Sequence, residues 1–194
     1  TLIPRPETEL LVDTALELLP QAPLHFADLG TGTGCIGLTL LAESPHWQGL
    51  LLDLSPHAAE VAATNARLLG VDNRAAVLRG DMQHPPLKAE SLQLVVSNPP
   101  YIAEAERHMV MDEVLHNEPH SALFSENNGL LHLAAAINAA ACALQNGGLV
   151  LLEHGAAQAK AVHDLLAETG IFKKIENKRD IAQLDRCTLA RKGL

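Results

Sequence analysis

Leu24-His25-Phe26-Ala27-Asp28-Leu29-Gly30-Thr31-Gly32-Thr33-Gly34-Cys35-Ile36-Gly37 decides the fold of this chain. The mostly apolar run Leu24–Leu29 reads as a buried strand. Alternating glycines then turn the backbone sharply, because glycine enters left-handed conformations without a Cβ clash. A helix over about Cys35–Glu43 follows. Outward from this unit the pattern repeats. Leu50–Leu54 is a second apolar strand, and Ser55-Pro56 opens a helix that runs to Leu69 and stops at Gly70. Serine at the N-cap and proline in the first turn are a helix-start signature. Ala75–Leu78 and Leu92–Ser97 are further strands. Gly129–Leu144 is helical and ends at Asn146-Gly147-Gly148. Leu149–Glu153 is the next strand, and a helix over Ala156–Glu168 ends before Gly170. Phe172–Asn177 and Arg186–Ala190 close the chain as a strand pair. Short apolar strands alternating with helices predict a doubly wound α/β domain with a mostly parallel sheet covered on both faces.

The 194 residues suffice for one such domain, assigned to 1–194, with an amphipathic helix over Leu10–Leu19 ahead of the first strand. Aromatics make up only 3%, so the core is packed from Leu, Val, Ile and Ala. The net charge of -9, with no Lys/Arg-rich block, argues against stable nucleic-acid binding. Cys35, Cys142 and Cys187 lie too far apart for a metal or redox pair and read as buried, reduced thiols. His116 and His120 have helical spacing, but Pro119 between them disfavours the helix a metal site would need. No signal peptide and no membrane-spanning apolar run is visible, which predicts a cytoplasmic protein. The chain opens Thr1-Leu2-Ile3 without methionine, as a trimmed or partial chain does. The stretch from Ile102 to Asn128 lacks a period and reads as a long functional loop.

In an open parallel sheet, ligands sit at the carboxyl ends of the strands. The glycine turn there, with Gly32 to Gly37 matching G-x-G-x-x-G, suits a nucleotide ligand, and Asp53 can accept from both hydroxyls of a ribose. These features fit a dinucleotide or S-adenosyl-L-methionine equally. Two others separate them. Asp28 precedes the turn directly, and its carboxylate would repel a pyrophosphate and attract an ammonium group. Asp81 can accept from an adenine amino group while Met82 covers the ring. The expected cofactor is S-adenosyl-L-methionine, held by Asp28, Gly30, Thr31, Gly32, Thr33, Gly34, Asp53, Asp81 and Met82.

Asn98-Pro99-Pro100-Tyr101 follows the fourth strand. Proline fixes its own φ and forces the preceding residue extended, so Asn98 and Pro99 are stiff, with carbonyls that are not drawn into turns. Two fixed acceptors suit a planar –NH2 group. An amide nitrogen shares its lone pair with the carbonyl, as the ~18–20 kcal/mol barrier to peptide rotation shows. Acceptors on both N–H bonds would turn that lone pair toward a methyl donor and stabilise the growing positive charge. Asn98, Pro99 and Tyr101 are the predicted catalytic residues, and Asn98, Pro99, Pro100 and Tyr101 the substrate grip, with Tyr101 stacking on the planar group. The tetrapeptide does not distinguish a glutamine amide from an adenine or guanine amino group. A non-catalytic cofactor-binding scaffold is the contrasting reading.

Asp28–Gly34, Asp53 and Asn98–Tyr101 resemble the class I methyltransferases that act on planar amino groups. Within these, Ile3-Pro4-Arg5-Pro6-Glu7-Thr8-Glu9, Asn98–Ile102, Glu118-Pro119 before Ala122-Leu123, and Gly148–Gly155 with Gln158 are similar to the HemK/PrmC family. These are the peptide chain release factor glutamine methyltransferases. The resemblance implies a Rossmann-like seven-stranded sheet whose last strand is antiparallel. It implies N5-methylation of the glutamine in the Gly-Gly-Gln motif of release factors, with S-adenosyl-L-homocysteine as product and Asn98 as a further cofactor contact. A ribosomal-protein glutamine or a nucleobase amino group is the alternative acceptor. Two departures stand out: the family's helical N-terminal domain is not in these residues, and position 82 is Met where relatives commonly carry an aromatic. Arg5, Glu7, Glu9 and Glu118 are candidates for the substrate cleft. Glu153 and His154 end the fifth strand and read as packed or hydrogen-bonding groups.

Overall fold

A computed structural model describes residues 5–110, 114–115 and 119–193. Ile3, Pro4, His116 and Glu118 lie outside the described residues. In chain order the elements are α1 (Glu9–Leu18), β1 (Leu24–Leu29), α2 (Cys35–Glu43), β2 (Trp47–Asp53), α3 (Pro56–Leu68) and β3 (Ala75–Arg79). Then come β4 (Leu92–Ser97), β5 (Ile102–Ala103), α4 (His120–Leu123), β6 (Phe124–Ser125) and α5 (Leu131–Ala143). Last are β7 (Leu144–Glu153), α6 (Ala159–Glu168), β8 (Phe172–Arg179) and β9 (Asp185–Lys192).

The main sheet has seven strands in the order β3-β2-β1-β4-β7-β9-β8. β1 pairs parallel with β2 and β4, β2 with β3, and β4 with β7. β9 runs antiparallel to both its neighbours, as expected for the last strand. The chain winds outward from β1 through β2 to β3, then returns to lay β4 on the other side of β1. A crevice opens where the winding reverses, at the carboxyl ends of β1 and β4.

Strand residues alternate between two cores, as the period of two demands. Phe26, Leu94, Val96, Leu149 and Leu151 pack on one face with Leu11 of α1 and Leu38 and Leu41 of α2. Ala27, Leu29, Val95, Val150 and Leu152 pack on the other with Leu133 and Ile137 of α5 and Val162 of α6. The central strands are therefore apolar on both sides, which is why they read as continuous hydrophobic runs. Ser55 caps α3 by accepting from the Ala58 amide at 3.3 Å, with Pro56 as its first residue.

Three expectations are corrected. β2 begins at Trp47, not Leu50: Trp47 is fully buried, pairs with Leu24, and donates its indole N–H to the Pro20 carbonyl at 3.2 Å. Gln48 and Gly49 interrupt the apolar run and hide this start. β7 begins at Leu144, not Leu149, directly after the helix that ends at Ala143. Leu144 is already extended, fully buried, and paired with Leu92. Because Leu94 next pairs with Leu149, the intervening residues bulge out, with Gly147 at φ +80°. The stretch after Ile102 is not structureless: β5 and β6 form a short parallel ribbon that pairs Ile102 with Phe124 and Ala103 with Ser125.

Candidate active site

The glycine turn closes the carboxyl end of β1. Gly30, Gly32 and Gly34 all have positive φ, between +59° and +85°, so the alternation of glycine in the sequence is a conformational requirement of the turn. Its backbone is tied to β2: Gly30 and Thr31 amides donate to the Leu52 carbonyl at 2.8 and 3.0 Å. Asp53, half-buried at the end of β2, accepts from the Gly32 amide through Oδ2 at 2.8 Å and from the Ser55 amide through Oδ1 at 2.9 Å. A cavity of about 310 Å³ lies against this turn. Gly30, Thr31, Gly32 and Thr33 line it with Asp53, Asp81, Met82, His132, Asn98 and Pro100.

Asp28 stands differently from expectation. It is fully buried behind the turn, and Oδ2 accepts from the Thr31 hydroxyl at 2.6 Å and the Gly37 amide at 3.0 Å. Burial pushes its carboxyl up to about 6, against the pull of these two donors. It braces the turn from inside and is not among the residues lining the cavity, while its Oδ1 is buried without a hydrogen-bond partner among the described residues. Gly34 also lies off the wall, as the left-handed residue that starts α2.

On the far side of Asn98 lies a second cavity, of about 320 Å³. It is lined by Asn98, Pro99, Pro100 and Tyr101 with Arg5, Glu7, Glu153 and Arg186. Asn98 and Pro100 thus face both cavities, and the tetrapeptide is the wall between them. Among the described residues no hydrogen bond reaches the Pro99 carbonyl. Asn98 donates through Nδ2 to the Thr8 hydroxyl at 3.2 Å, which leaves its Oδ1 as the acceptor. The Tyr101 carbonyl is held by Gln158 Nε2 at 2.8 Å. Gly129, at φ +81°, passes so close that a Cβ there would stand 2.1 Å from that carbonyl oxygen.

Glu153, at the end of β7, is 2% exposed yet lines the second cavity. The Tyr101 hydroxyl reaches its Oε1 at 3.5 Å, while Oε2 is buried without a partner among the described residues in full hydrogen-bond geometry. Burial pushes the carboxyl up to about 7, opposed by the Thr8 hydroxyl and the Arg186 guanidinium. Burial and the Glu153 charge push the Tyr101 phenol up to about 12, so it stays protonated. Arg186 is itself anchored to Asp180 at 3.2 Å. His154 is fully buried, between the Gly155 carbonyl at 2.9 Å and the Thr188 hydroxyl at 2.8 Å, a packing role. Cys35 faces the first cavity, and burial raises its thiol to about 11, which keeps it protonated near neutral pH. Cys187 is buried as expected, whereas Cys142 is exposed on α5.

Of the amino-terminal candidates, Arg5 and Glu7 line the second cavity and Glu9 faces solvent. Sequence reasoning missed Thr8, Arg186 and His132. Thr8 sits inside the quoted Arg5–Glu9 segment and could have been found there. Arg186 and His132 lie on β9 and α5 with no local signal. His132 takes its place through Nδ1 at 2.8 Å from the Ser125 hydroxyl.

The methyltransferase small domain family matches residues 7–139. A release factor glutamine methyltransferase from Nitratidesulfovibrio vulgaris is 46% identical over all of this chain, which spans 66% of that protein. Those from Enterococcus faecalis and Escherichia coli are each 39% identical over 98% of this chain and 68% of their own length. The chain thus spans about two thirds of the length of these curated relatives. Among solved structures, a predicted O-methyltransferase from Agrobacterium tumefaciens superposes with a TM-score of 0.68 at 20% identity, over 91% of this chain and 77% of that one. TrmN from Thermus thermophilus superposes with a TM-score of 0.64 at 20% identity, over 95% of this chain and 48% of that one. The structural likenesses establish the fold. Joined to the sequence identities, they place this chain in the release factor glutamine methyltransferase family.

Proposed function

We propose that the chain transfers the methyl group of S-adenosyl-L-methionine to the side-chain amide nitrogen of the glutamine in the Gly-Gly-Gln motif of peptide chain release factors. The observation that carries this reading is the Asn98–Tyr101 wall, which presents acceptors between a nucleoside-sized cavity and a second, partly charged one. The fit of the cofactor rests on the first cavity: a positive-φ glycine turn that brings backbone close, and Asp53 at its rim with a spare lone pair on each oxygen. When bound, S-adenosyl-L-methionine supplies an electrophilic methyl carbon on a sulfonium. Gly30, Thr31, Gly32 and Thr33 would hold it along the turn, Asp53 would accept from the ribose, and Asp81 and Met82 would take the adenine. Asp28 and Gly34 act by shaping the turn.

In the second cavity, Asn98 Oδ1 and the Pro99 carbonyl accept the two N–H bonds of the glutamine amide. So held, the nitrogen lone pair would be left free to face the methyl donor. The same two oxygens would stabilise the positive charge that grows on the amide nitrogen as it takes up the methyl group. The methylated nitrogen then releases a proton to water. Tyr101 packs on the amide plane. We read residues 1–194 as one methyltransferase domain, with a release factor as its protein partner and the cytoplasm as its place of action. The net charge of -9 fits a protein partner better than nucleic acid. Among the described residues no helix is long and apolar enough to cross a membrane.

The test is incubation with isotopically labelled cofactor and, separately, release factor, ribosomal protein and oligonucleotide, with the methyl group located by mass spectrometry. Label on the Gly-Gly-Gln glutamine alone is expected. Label on another acceptor, with none on release factor, overturns the assignment.

A further inference from the structure

The second cavity holds a donor that the methyl transfer itself leaves unused. Arg186, the second residue of β9, lines that cavity with Asn98, Tyr101, Glu7 and Glu153. Its main chain is tied to the end of β7, because the His154 amide donates to the Arg186 carbonyl at 3.0 Å. Its Nε donates to Asp180 Oδ2 at 3.2 Å, and its Nη1 approaches the His154 carbonyl at 3.5 Å. Asp180 is set in turn by the turn between β8 and β9. Its Oδ1 accepts the Leu184 amide at 3.0 Å, and its own amide donates to the Leu184 carbonyl at 2.9 Å. The Arg186 side chain is 17% exposed and that of Asp180 4%, so the pair sits in the wall and not on the open surface. A guanidinium carries five N–H bonds in a rigid fork and accepts nothing. Asp180 and His154 account for two of them, which leaves the rest for groups in the cavity.

The carbonyl of the target glutamine side chain is the wrong acceptor for this fork. A cation bonded to it would draw the nitrogen lone pair further into the amide and slow its attack. A phosphate would match the fork, but Glu7 and Glu153 share the cavity and oppose another anion. A main-chain carbonyl is neutral, is a strong acceptor, and stands beside any glutamine held in a polypeptide. In Gly-Gly the main chain is also the only polar group on offer, and without a Cβ it comes closest to a rigid wall. We infer that Arg186 is a substrate-binding residue that donates to a main-chain carbonyl oxygen flanking the target glutamine, and that Asp180 is the positioning residue that aims its guanidinium. This rests on the proposed glutamine transfer and deepens it: the second cavity selects a glutamine within a polypeptide over a nucleobase amino group.

The test is steady-state methylation of release factor by the full chain carrying Arg186→Met, Arg186→Lys or Asp180→Asn, with S-adenosyl-L-homocysteine affinity and Tm measured beside it. In Arg186→Met, KM for release factor is expected to rise roughly 10- to 100-fold, the scale of lost hydrogen bonds to a charged group. A bond to the main chain is the same before and during transfer, so kcat is expected to stay within about threefold and S-adenosyl-L-homocysteine affinity to hold. Arg186→Lys keeps the charge without the fork and is expected to recover only a minor part of the loss. Asp180→Asn keeps an acceptor but loosens the aim, and KM is expected to rise by roughly 3- to 10-fold. Arg186→Met leaves Asp180 without its cation, which can lower Tm by itself. The double variant Asp180→Asn, Arg186→Met removes that orphaned charge and is expected to keep the raised KM at a Tm near wild type. An unchanged KM in Arg186→Met or in the double variant, beside an active wild type, overturns the inference alone. So does a joint fall of kcat, S-adenosyl-L-homocysteine affinity and Tm in both, the pattern of a purely structural ion pair. A wild-type chain that leaves release factor unlabelled overturns the proposed function and this inference with it.

Discussion

Asp53 Oδ2 holds the Gly32 amide at 2.8 Å, joining the end of β2 to the middle of the glycine turn. The residue proposed to bind the ribose is thus also a strut of the loop that the cofactor meets. Asp53→Ala removes both the charged acceptor and the strut. S-adenosyl-L-homocysteine affinity is expected to weaken by roughly 1–3 kcal/mol, the scale of charge-assisted hydrogen bonds. Calorimetry checks this, and unchanged affinity contradicts the ribose assignment.

Asn98→Ala should separate binding from chemistry. The side chain stands at the wall between the cavities, and its acceptor matters most once charge builds on the substrate nitrogen. We expect cofactor affinity within a few-fold of wild type and kcat lower by roughly 100-fold or more. A parallel fall in affinity and rate would mean that Asn98 serves mainly to bind cofactor.

Gly129→Ala tests the support of the wall. The added Cβ would stand 2.1 Å from the Tyr101 carbonyl oxygen and 2.6 Å from Gln158 Nε2, on a backbone at φ +81°. The variant must push the carbonyl off Gln158 or distort the turn. A lowered Tm, corresponding to roughly 1–3 kcal/mol, is expected together with loss of turnover. Thermal denaturation and steady-state rates measured side by side check it, and an unaltered Tm would show that the contact relaxes freely.

Two buried carboxyls give stability a defined pH dependence. Burial raises Glu153 from 4.5 to about 7 and Asp28 from 3.8 to about 6. In the window between those values the unfolded chain loses protons that the folded chain keeps. Stability from these groups is therefore fully present below pH 4 and lost as pH rises through about 6 to 7. The loss is at most on the order of 3 kcal/mol for each carboxyl. Asp28→Asn and Glu153→Gln should each flatten the decline between pH 4 and 7 in urea unfolding, and a decline equal to wild type would argue against burial as its cause.

The sequence by itself determined the unit of construction and the order of its pieces. Apolar runs name β1, β4 and the second half of β7, because a strand buried on both faces leaves no choice of residue. Gly30, Gly32 and Gly34 announce the turn since only glycine sits there without strain, and Asn98-Pro99-Pro100-Tyr101 announces the wall because proline writes backbone geometry into composition. Only the tertiary structure decided what these groups face. It put Asp28 behind the turn, carried Thr8 to Asn98 across 90 residues, and brought Glu153 and Arg186 to one cavity. It also started β2 at Trp47 and β7 at Leu144. Such placements depend on strand order and on which face packs inward, and contacts between distant segments leave no periodic mark in either one.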